Sequence, residues 1–145
     1  MKARTIEGLS PDEPLSPNIT RIVTVRLDEL RGFGDAALAP DASEAQHDMR
    51  IAAKRLRYVL EIFAPCLGEE ADEARRAAKA LQSVLGDLHD CDLMLTKVEQ
   101  IDSVAALLRK RRARLFQAFV ELWQFETSKG TLAALDASLR ARALP

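Results

Sequence analysis

Apolar side chains recur at intervals of three and four residues along most of this chain, which places them on one face of an α-helix. The longest run is made of alanines and leucines: Ala74, Ala78, Leu81, Leu85, Leu88 and Leu95. The chain shows no strand-like alternation, and it is rich in Ala, Leu, Arg, Glu and Asp but poor in aromatic and β-branched residues. This pattern predicts an all-α fold.

Proline, glycine and acidic residues divide the pattern into helices. We predict long helices over approximately 17–32, 43–64, 69–100 and 103–130, and a short helix or frayed amphipathic tail over 132–139. Four long helices with short connections predict an up-down four-helix bundle in residues 17–145. Residues 1–16 are polar and contain proline, so we expect a flexible tail there.

Two helix starts carry specific signals. Ser16 followed by Pro17 combines a capping side chain with a proline in the first turn. The second helix is expected to open with a capping box, formed either by Asp41 with Glu44 or by Ser43 with Gln46.

Length and charge bound the kind of protein. A chain of 145 residues with a formal charge of −1 suits one domain, and its near-neutrality argues against general attraction to polyanions. Cys66 and Cys91 lie in apolar helical surroundings, so we expect reduced core thiols. No secretory signal or membrane-spanning run is apparent, and we expect a soluble cytoplasmic protein.

The second predicted helix segregates its charges. At about 100° per residue, His47, Arg50, Lys54 and Arg57 share one stripe with Tyr58 beside them, while Met49, Leu56, Leu60 and Phe63 lie opposite. The row from His47 to Arg57 spans about 15 Å at 1.5 Å per residue. Arginine forks and a lysine on one face favour the binding of an anion, and the spacing alone equally allows a solvated basic face.

Two segments carry a family resemblance. The first is HDMRIAAKRLRYVLEIF, from His47, with the order H-x-x-R-x-x-x-K-R-L-R, and the second is LQSVLGDLHDCDLML, from Leu81. Together they resemble the CHAD family, the conserved-histidine α-helical domain. The resemblance implies binding of inorganic polyphosphate and, in the cell, association with polyphosphate granules. The full domain of that family has two four-helix bundles around a basic groove. This chain has helices for one bundle, so either two copies pair to rebuild the groove or one copy binds weakly as half of an ancestral site. We favour the homodimer, because C2 pairing is the commonest oligomer.

The predicted site follows from the basic helix, the resemblance and a second cluster of cations on the fourth helix. It comprises His47, Arg50, Lys54, Arg55, Arg57, Tyr58, Arg111 and Arg112. Further contacts are expected from Lys79, Arg109, Lys110 and Arg114. For Arg111 and Arg112 a carboxylate is the alternative partner, supplied by Glu99, Asp102 or Asp92.

Catalysis, cofactors and metals find no support in the sequence. Adjacent helical positions diverge by about 100°, so His89 and Asp90 do not suit one metal ion, and we expect His89 to serve in hydrogen bonds or salt bridges. Glu44-x-x-His47 has a di-iron spacing, but a matching second pair is missing because Gly86 precedes His89 at that position. We predict non-enzymatic binding without a cofactor.

Other functions stay open. A histidine phosphotransfer domain is also a four-helix bundle with one exposed histidine, although Arg50 followed by Ile51 departs from its usual H-x-x-K-G pattern. An adaptor without a ligand is a further alternative. Nucleic-acid binding ranks below polyphosphate, because the chain lacks a basic balance and exposed aromatic residues.

Overall fold

The computed structural model describes residues 1–143, and within them the chain is helical without a β-strand. The helices are α1 (Leu15–Arg31), α2 (Gly34–Ala37), α3 (Ser43–Ile62), α4 (Glu69–Val98), α5 (Asp102–Ser128) and α6 (Thr131–Ala143), with a 3₁₀ turn at Ala64–Cys66. The predicted all-α four-helix bundle is confirmed, with α1, α3, α4 and α5 as its long helices.

Helix α4 is the centre of the bundle. It packs along α3 and α5 and also contacts α6, while α1 packs on α3 and α6. The alanines and leucines that form the predicted apolar stripe of α4 are buried, except Leu95, which is half-buried. Met49, Leu56 and Leu60 of α3 are also buried. On α5, Phe119 and Trp123 are buried, and Phe116 packs against the core. The polar stripe of α3 therefore faces outward.

The helix starts differ from the predictions. Helix α1 begins at Leu15 after Pro14, and helix α3 begins after Ala42, in both cases without a side-chain cap. The predicted capping boxes are therefore wrong. Gln46 is instead buried and donates from Nε2 to the carbonyl oxygens of Ala37 (3.2 Å) and Ala39 (2.9 Å), because the turn after α2 leaves these acceptors inside the bundle.

A side chain from the preceding helix caps α6. The carboxylate of Glu126 accepts hydrogen bonds from the backbone N–H of Thr131 (2.9 Å) and Leu132 (3.3 Å) and from the Thr131 hydroxyl (3.0 Å). Gly130 makes this approach possible, because a Cβ there would lie 2.5 Å from Glu126 Oε2. Gly130, which lies between α5 and α6, thus allows Glu126 to cap the start of α6.

The first fourteen residues are not helical, yet they lie against the bundle. Ser10 and Asn18 exchange two hydrogen bonds, and the Arg26 side chain donates to the carbonyl of Arg4 at 3.2 Å. Cys66 is exposed, so its predicted place in the core is wrong, whereas Cys91 is buried as expected. The 3₁₀ turn after α3 lifts Cys66 out of the helical pattern.

Candidate anion-binding site

Helices α3 and α4 meet in a regular antiparallel register on the outer side of the bundle. Three contacts fix it: the ring of His47 against that of His89, the Arg50 side chain against Gly86, and Glu61 against Arg75. In all three contacts the residue number on α3 rises by as much as the residue number on α4 falls. The same register places Lys54 opposite Gln82 and Arg57 opposite Lys79. We name these residues the α3–α4 seam: His47, Arg50, Lys54, Arg57, Lys79, Gln82, Gly86 and His89.

The two imidazoles form one end of the seam. Their ring centroids are 4.2 Å apart with an interplanar angle of 23°, which is a stacked arrangement. Nδ1 of His47 is buried and has no hydrogen-bond partner within residues 1–143. Burial, then His89 and Arg50, lower the pKa of His47 below its ordinary value of 6.5, against the opposing charge of Asp48. The predicted hydrogen bonds or salt bridges of His89 are not formed among the described residues, and its ring stacks instead.

Gly86 gives Arg50 its path across α4. A Cβ at position 86 would lie 3.4 Å from Arg50 Nε and 3.9 Å from its Cδ, so the Arg50 side chain lies directly over the backbone of α4 at Gly86. Within residues 1–143 no carboxylate lies within ion-pair distance of Arg50, Lys54 or Lys79. No carboxylate of the described residues therefore neutralises the charges of Arg50, Lys54 and Lys79.

Tyr58 organises two of the cations. Its ring faces Lys54 Nζ at 5.6 Å and Arg57 Cζ at 4.8 Å from the centroid, which are cation–π distances. Arg57 Nε also lies 3.3 Å from Glu61 Oε1, within ion-pair distance but not aligned as a hydrogen bond. The row of cations on α3 thus ends next to Glu61.

Three buried side-chain atoms in the described part of the chain lack a hydrogen-bond partner, and all three lie on the seam. They are His47 Nδ1, Arg57 Nε and Gln82 Oε1. Buried polar groups are ordinarily satisfied, so such a concentration on one surface indicates groups available to a ligand. Because the oxygen and nitrogen of an amide exchange places on a flip, Gln82 can present its donor in the same position.

Arg55 lies on another face of α3. It donates to the buried carboxylate of Glu29 at 2.6 Å and to the carbonyl oxygen of Met1 at 2.7 Å. Arg26 donates to the same carboxylate at 2.8 Å. Arg55 therefore joins α1, α3 and the N-terminal segment, away from the other predicted binding residues.

The fourth-helix cations divide into two groups. Arg112 donates to Asp92 at 2.5 Å, to the carbonyl of Pro40 at 2.6 Å and to Gln46 Oε1 at 2.7 Å, so it ties α5 to α4 and to the start of α3. Asp92 is one of the three carboxylates expected from the sequence as partners of Arg111 and Arg112 in place of a ligand. The remaining α5 cations are exposed and have no carboxylate within ion-pair distance in residues 1–143: Arg109, Lys110, Arg111 and Arg114.

Sequence reasoning missed His89, Gln82 and Gly86 as parts of the site. Their spacing was a usable signal, because positions 79, 82, 86 and 89 repeat in reverse the three- and four-residue steps of the stripe on α3. Within residues 1–143 no cluster of three or more His, Cys, Asp or Glu side chains is placed to hold a metal ion. None of the described helices has the length and apolar character needed to cross a bilayer.

These features define a helical bundle with a row of cations along one interhelical surface, of which Arg50, Lys54 and Lys79 have no carboxylate partner among the described residues. The model of the CHAD domain family matches residues 3–99, about two thirds of the chain, and includes both seam helices. The chain therefore belongs to the CHAD domain family. Neither the search of curated proteins nor that of solved structures returned a match.

Proposed function

We propose that this protein binds inorganic polyphosphate, without catalysis, along the α3–α4 seam. The observation that carries the proposal is the concentration of unpaired donors there: Arg50, Lys54 and Lys79 have no carboxylate partner in residues 1–143, and the buried nitrogens of His47 and Arg57 have no hydrogen-bond partner. An extended polymer of phosphates matches a linear row of about 15 Å. Membership of the CHAD family supports the same ligand class.

The proposal assigns different roles to the predicted residues. His47, Arg50, Lys54 and Arg57 contact phosphates directly, and Tyr58 holds the last two cations in place. Lys79 extends the row from α4, and the exposed cations of α5 supply additional contacts: Arg109, Lys110, Arg111 and Arg114. Arg55 and Arg112 position helices through Glu29 and Asp92 and do not contact the polymer.

Titration calorimetry with long-chain polyphosphate tests the binding surface. We expect the triple variant R50A/K54A/R57A to lose most of the affinity while keeping the helicity of the wild type. The matched control R76A/K97A/K129A removes three exposed charges outside the seam and should keep the affinity. Equal losses in the two variants would show that only net charge matters, and equal retention would place the site elsewhere.

Salt dependence tests the mechanism. Contacts to phosphates release counterions, so the logarithm of the affinity should fall linearly with the logarithm of the salt concentration. Affinity that is constant between low and moderate salt contradicts the proposal. Polymer recovered at its original length supports binding without hydrolysis, whereas acid-labile phosphorylation of His47 would favour the phosphotransfer alternative. Competition with DNA separates polyphosphate from nucleic acid as the preferred polyanion.

We further propose that two copies associate. Helix α4 continues beyond the point where α3 begins, and the end of the α4–α5 hairpin carries half-exposed or more exposed apolar residues: Leu93, Met94, Ile101 and Leu107. A second copy brings the same apolar surface, as an isologous contact requires. Mass measurement in solution should give a dimer that L107E dissociates. A monomer that binds polyphosphate one to one would overturn this proposal alone.

The cellular location follows from the ligand. We propose that the protein is cytoplasmic and associates with polyphosphate granules. A fluorescent fusion should colocalise with stained granules, and the triple seam variant should lose that colocalisation.

A further inference from the structure

The stacked imidazoles of His47 and His89 are an unusual end for a row of cations. They come from different helices, and their centroids are 4.2 Å apart. Two imidazolium rings at this separation repel each other, because like charges within about 4–6 Å disfavour the charged form. A group that accepts hydrogen bonds from both rings removes this conflict when it carries negative charge of its own.

Burial of the His47 ring and the charges around it disfavour its protonation in the free protein. On α3, Asp48 favours protonation of His47 and Arg50 opposes it. From α4 the neighbour is His89 itself, and the α-amino group of Met1 adds a further positive charge. Arg112 of α5 approaches through Gln46, but its charge is already paired with Asp92. The charges that act on His47 thus oppose its protonation on balance when no anion is bound, and on α4 the carboxylate of Asp90 stands next to His89 in the sequence.

We propose that His47 and His89 form a proton-dependent clamp for one phosphate group, in which each ring donates a hydrogen bond to the anion and His47 takes up a proton as the anion binds. This inference rests on the proposed function and adds to it a second histidine contact and control of affinity by pH. Arg50 completes the clamp, because its side chain lies across Gly86 between the pair and the rest of the seam. The proton comes from solvent, and the bound phosphate supplies the negative charge that the protonated His47 ring needs.

The sign of the pH dependence follows from linkage. A bound anion raises the pKa of His47, so the complex holds more protons than the free protein between the two pKa values. Affinity is highest below the pKa of His47 in the free protein and falls as pH rises through its pKa in the complex. If the apparent pKa rises by about one unit for one proton, the affinity gain between the two plateaus is about tenfold.

Calorimetry in two buffers of different ionisation enthalpy measures the proton uptake directly. We expect long-chain polyphosphate to bind the wild type with net proton uptake near pH 6.5 and with lower affinity at pH 8 than at pH 5.5. In H47Q/H89Q, binding should persist through the remaining cations, but the proton uptake and the pH dependence should be lost. The single variant H89Q distinguishes the pair from His47 acting alone: it should lower the affinity and change the proton uptake if both rings hold the phosphate, whereas unchanged affinity and proton uptake would overturn the role of His89.

The chain has two histidines, so its imidazole C2–H region in a proton NMR spectrum contains two resonances. Both should move when polyphosphate is added at constant pH, that of His47 toward the protonated shift. Binding without proton uptake and without these shifts overturns the clamp and leaves the polyphosphate proposal standing. Absence of binding at both pH values at low salt overturns both, and proton uptake that persists in H47Q/H89Q assigns the protons to other groups and overturns the clamp.

Discussion

Replacing Arg55 with alanine should destabilise the bundle while leaving the polyphosphate site intact. Arg55 stands between Lys54 and Leu56 in the basic stretch of α3, which makes it a natural candidate for a ligand contact. In the structure its guanidinium is bound to Glu29 and to the carbonyl of Met1. The variant therefore separates a cation that stabilises the fold from the cations that are free to bind an anion.

The magnitude follows from the burial of the carboxylate. Glu29 is 2% exposed, and removing one partner of a fully buried ion pair costs about 3–5 kcal/mol. Arg26 remains bound to Glu29, and the Arg55 side chain is itself 24% exposed, so we expect a loss of about 2–3 kcal/mol in the free energy of unfolding. For a chain of this size each kcal/mol lowers the melting temperature by roughly 2–4 °C.

Urea denaturation followed by circular dichroism measures the loss, and a double-mutant cycle with E29Q tests its origin. The two single losses should sum to more than the loss in the double variant. R76A is the matched control, because Arg76 is 69% exposed and its removal should change stability by less than about 0.5 kcal/mol.

The salt slope of polyphosphate binding decides between the two roles. Loss of one phosphate contact reduces the slope by about 0.7–0.9, as it does for nucleic acids. We expect this reduction for R50A and none for R55A. A reduced slope with unchanged stability in R55A would refute the assignment of Arg55 to the fold.

Three further changes test other parts of the structure. Denaturation should show that G130A loses about 1–3 kcal/mol, because its Cβ would lie 2.5 Å from a carboxylate oxygen. G68A should lose less, because a Cβ there would meet nothing within 4 Å among the described residues and only the exchange of glycine for alanine at the N-cap of α4 counts against it. Equal losses would contradict this interpretation of the helix junction. Partial burial acts to raise the pKa of Asp136, but the hydrogen bonds and charges of Arg31 and Arg140 together outweigh it and lower that pKa below 3.8. The stability difference between wild type and D136N should therefore be present above about pH 4 and shrink as the pH falls below it, and a constant difference would contradict this. Y58L should weaken polyphosphate binding a few-fold in calorimetry with little effect on stability. The reason is that a cation–π contact is worth about 0.5–1 kcal/mol at an exposed site. Unchanged affinity would contradict the positioning role of Tyr58.

The helices were predictable because each one carries its own periodic signal. The stripe of His47, Arg50 and Lys54 follows from spacing within a single helix, and the structure keeps it on the outer face of α3. The partner of that stripe depends on the register between two helices, which periodicity within either one does not fix. His89 therefore read as an isolated polar residue in the sequence, although it lies against His47.

The pairing of charges was harder to predict than their faces. Glu29 and Arg55 are 26 positions apart and meet because α1 packs on α3, while Arg112 reaches Asp92 because α5 packs on α4. Gln46 read equally well as part of a capping box, and the buried carbonyls of the preceding turn decided its actual role. Which cations remain free is thus a property of the tertiary structure.

Near-neutrality and an open row of cations together constrain how the site can work. With a formal charge of −1, the chain has little net attraction for a polyanion beyond about 8 Å, the distance over which physiological salt screens charge. Affinity must then arise at contact, from the few phosphates that the row can reach.

A longer polymer offers more positions for the same row, so we expect the affinity per polymer chain to increase in proportion to its length for a single copy. Two rows in a dimer would give a steeper increase once the polymer spans both, because the second contact becomes intramolecular. The length dependence of binding therefore reports whether one bundle or two holds the polymer.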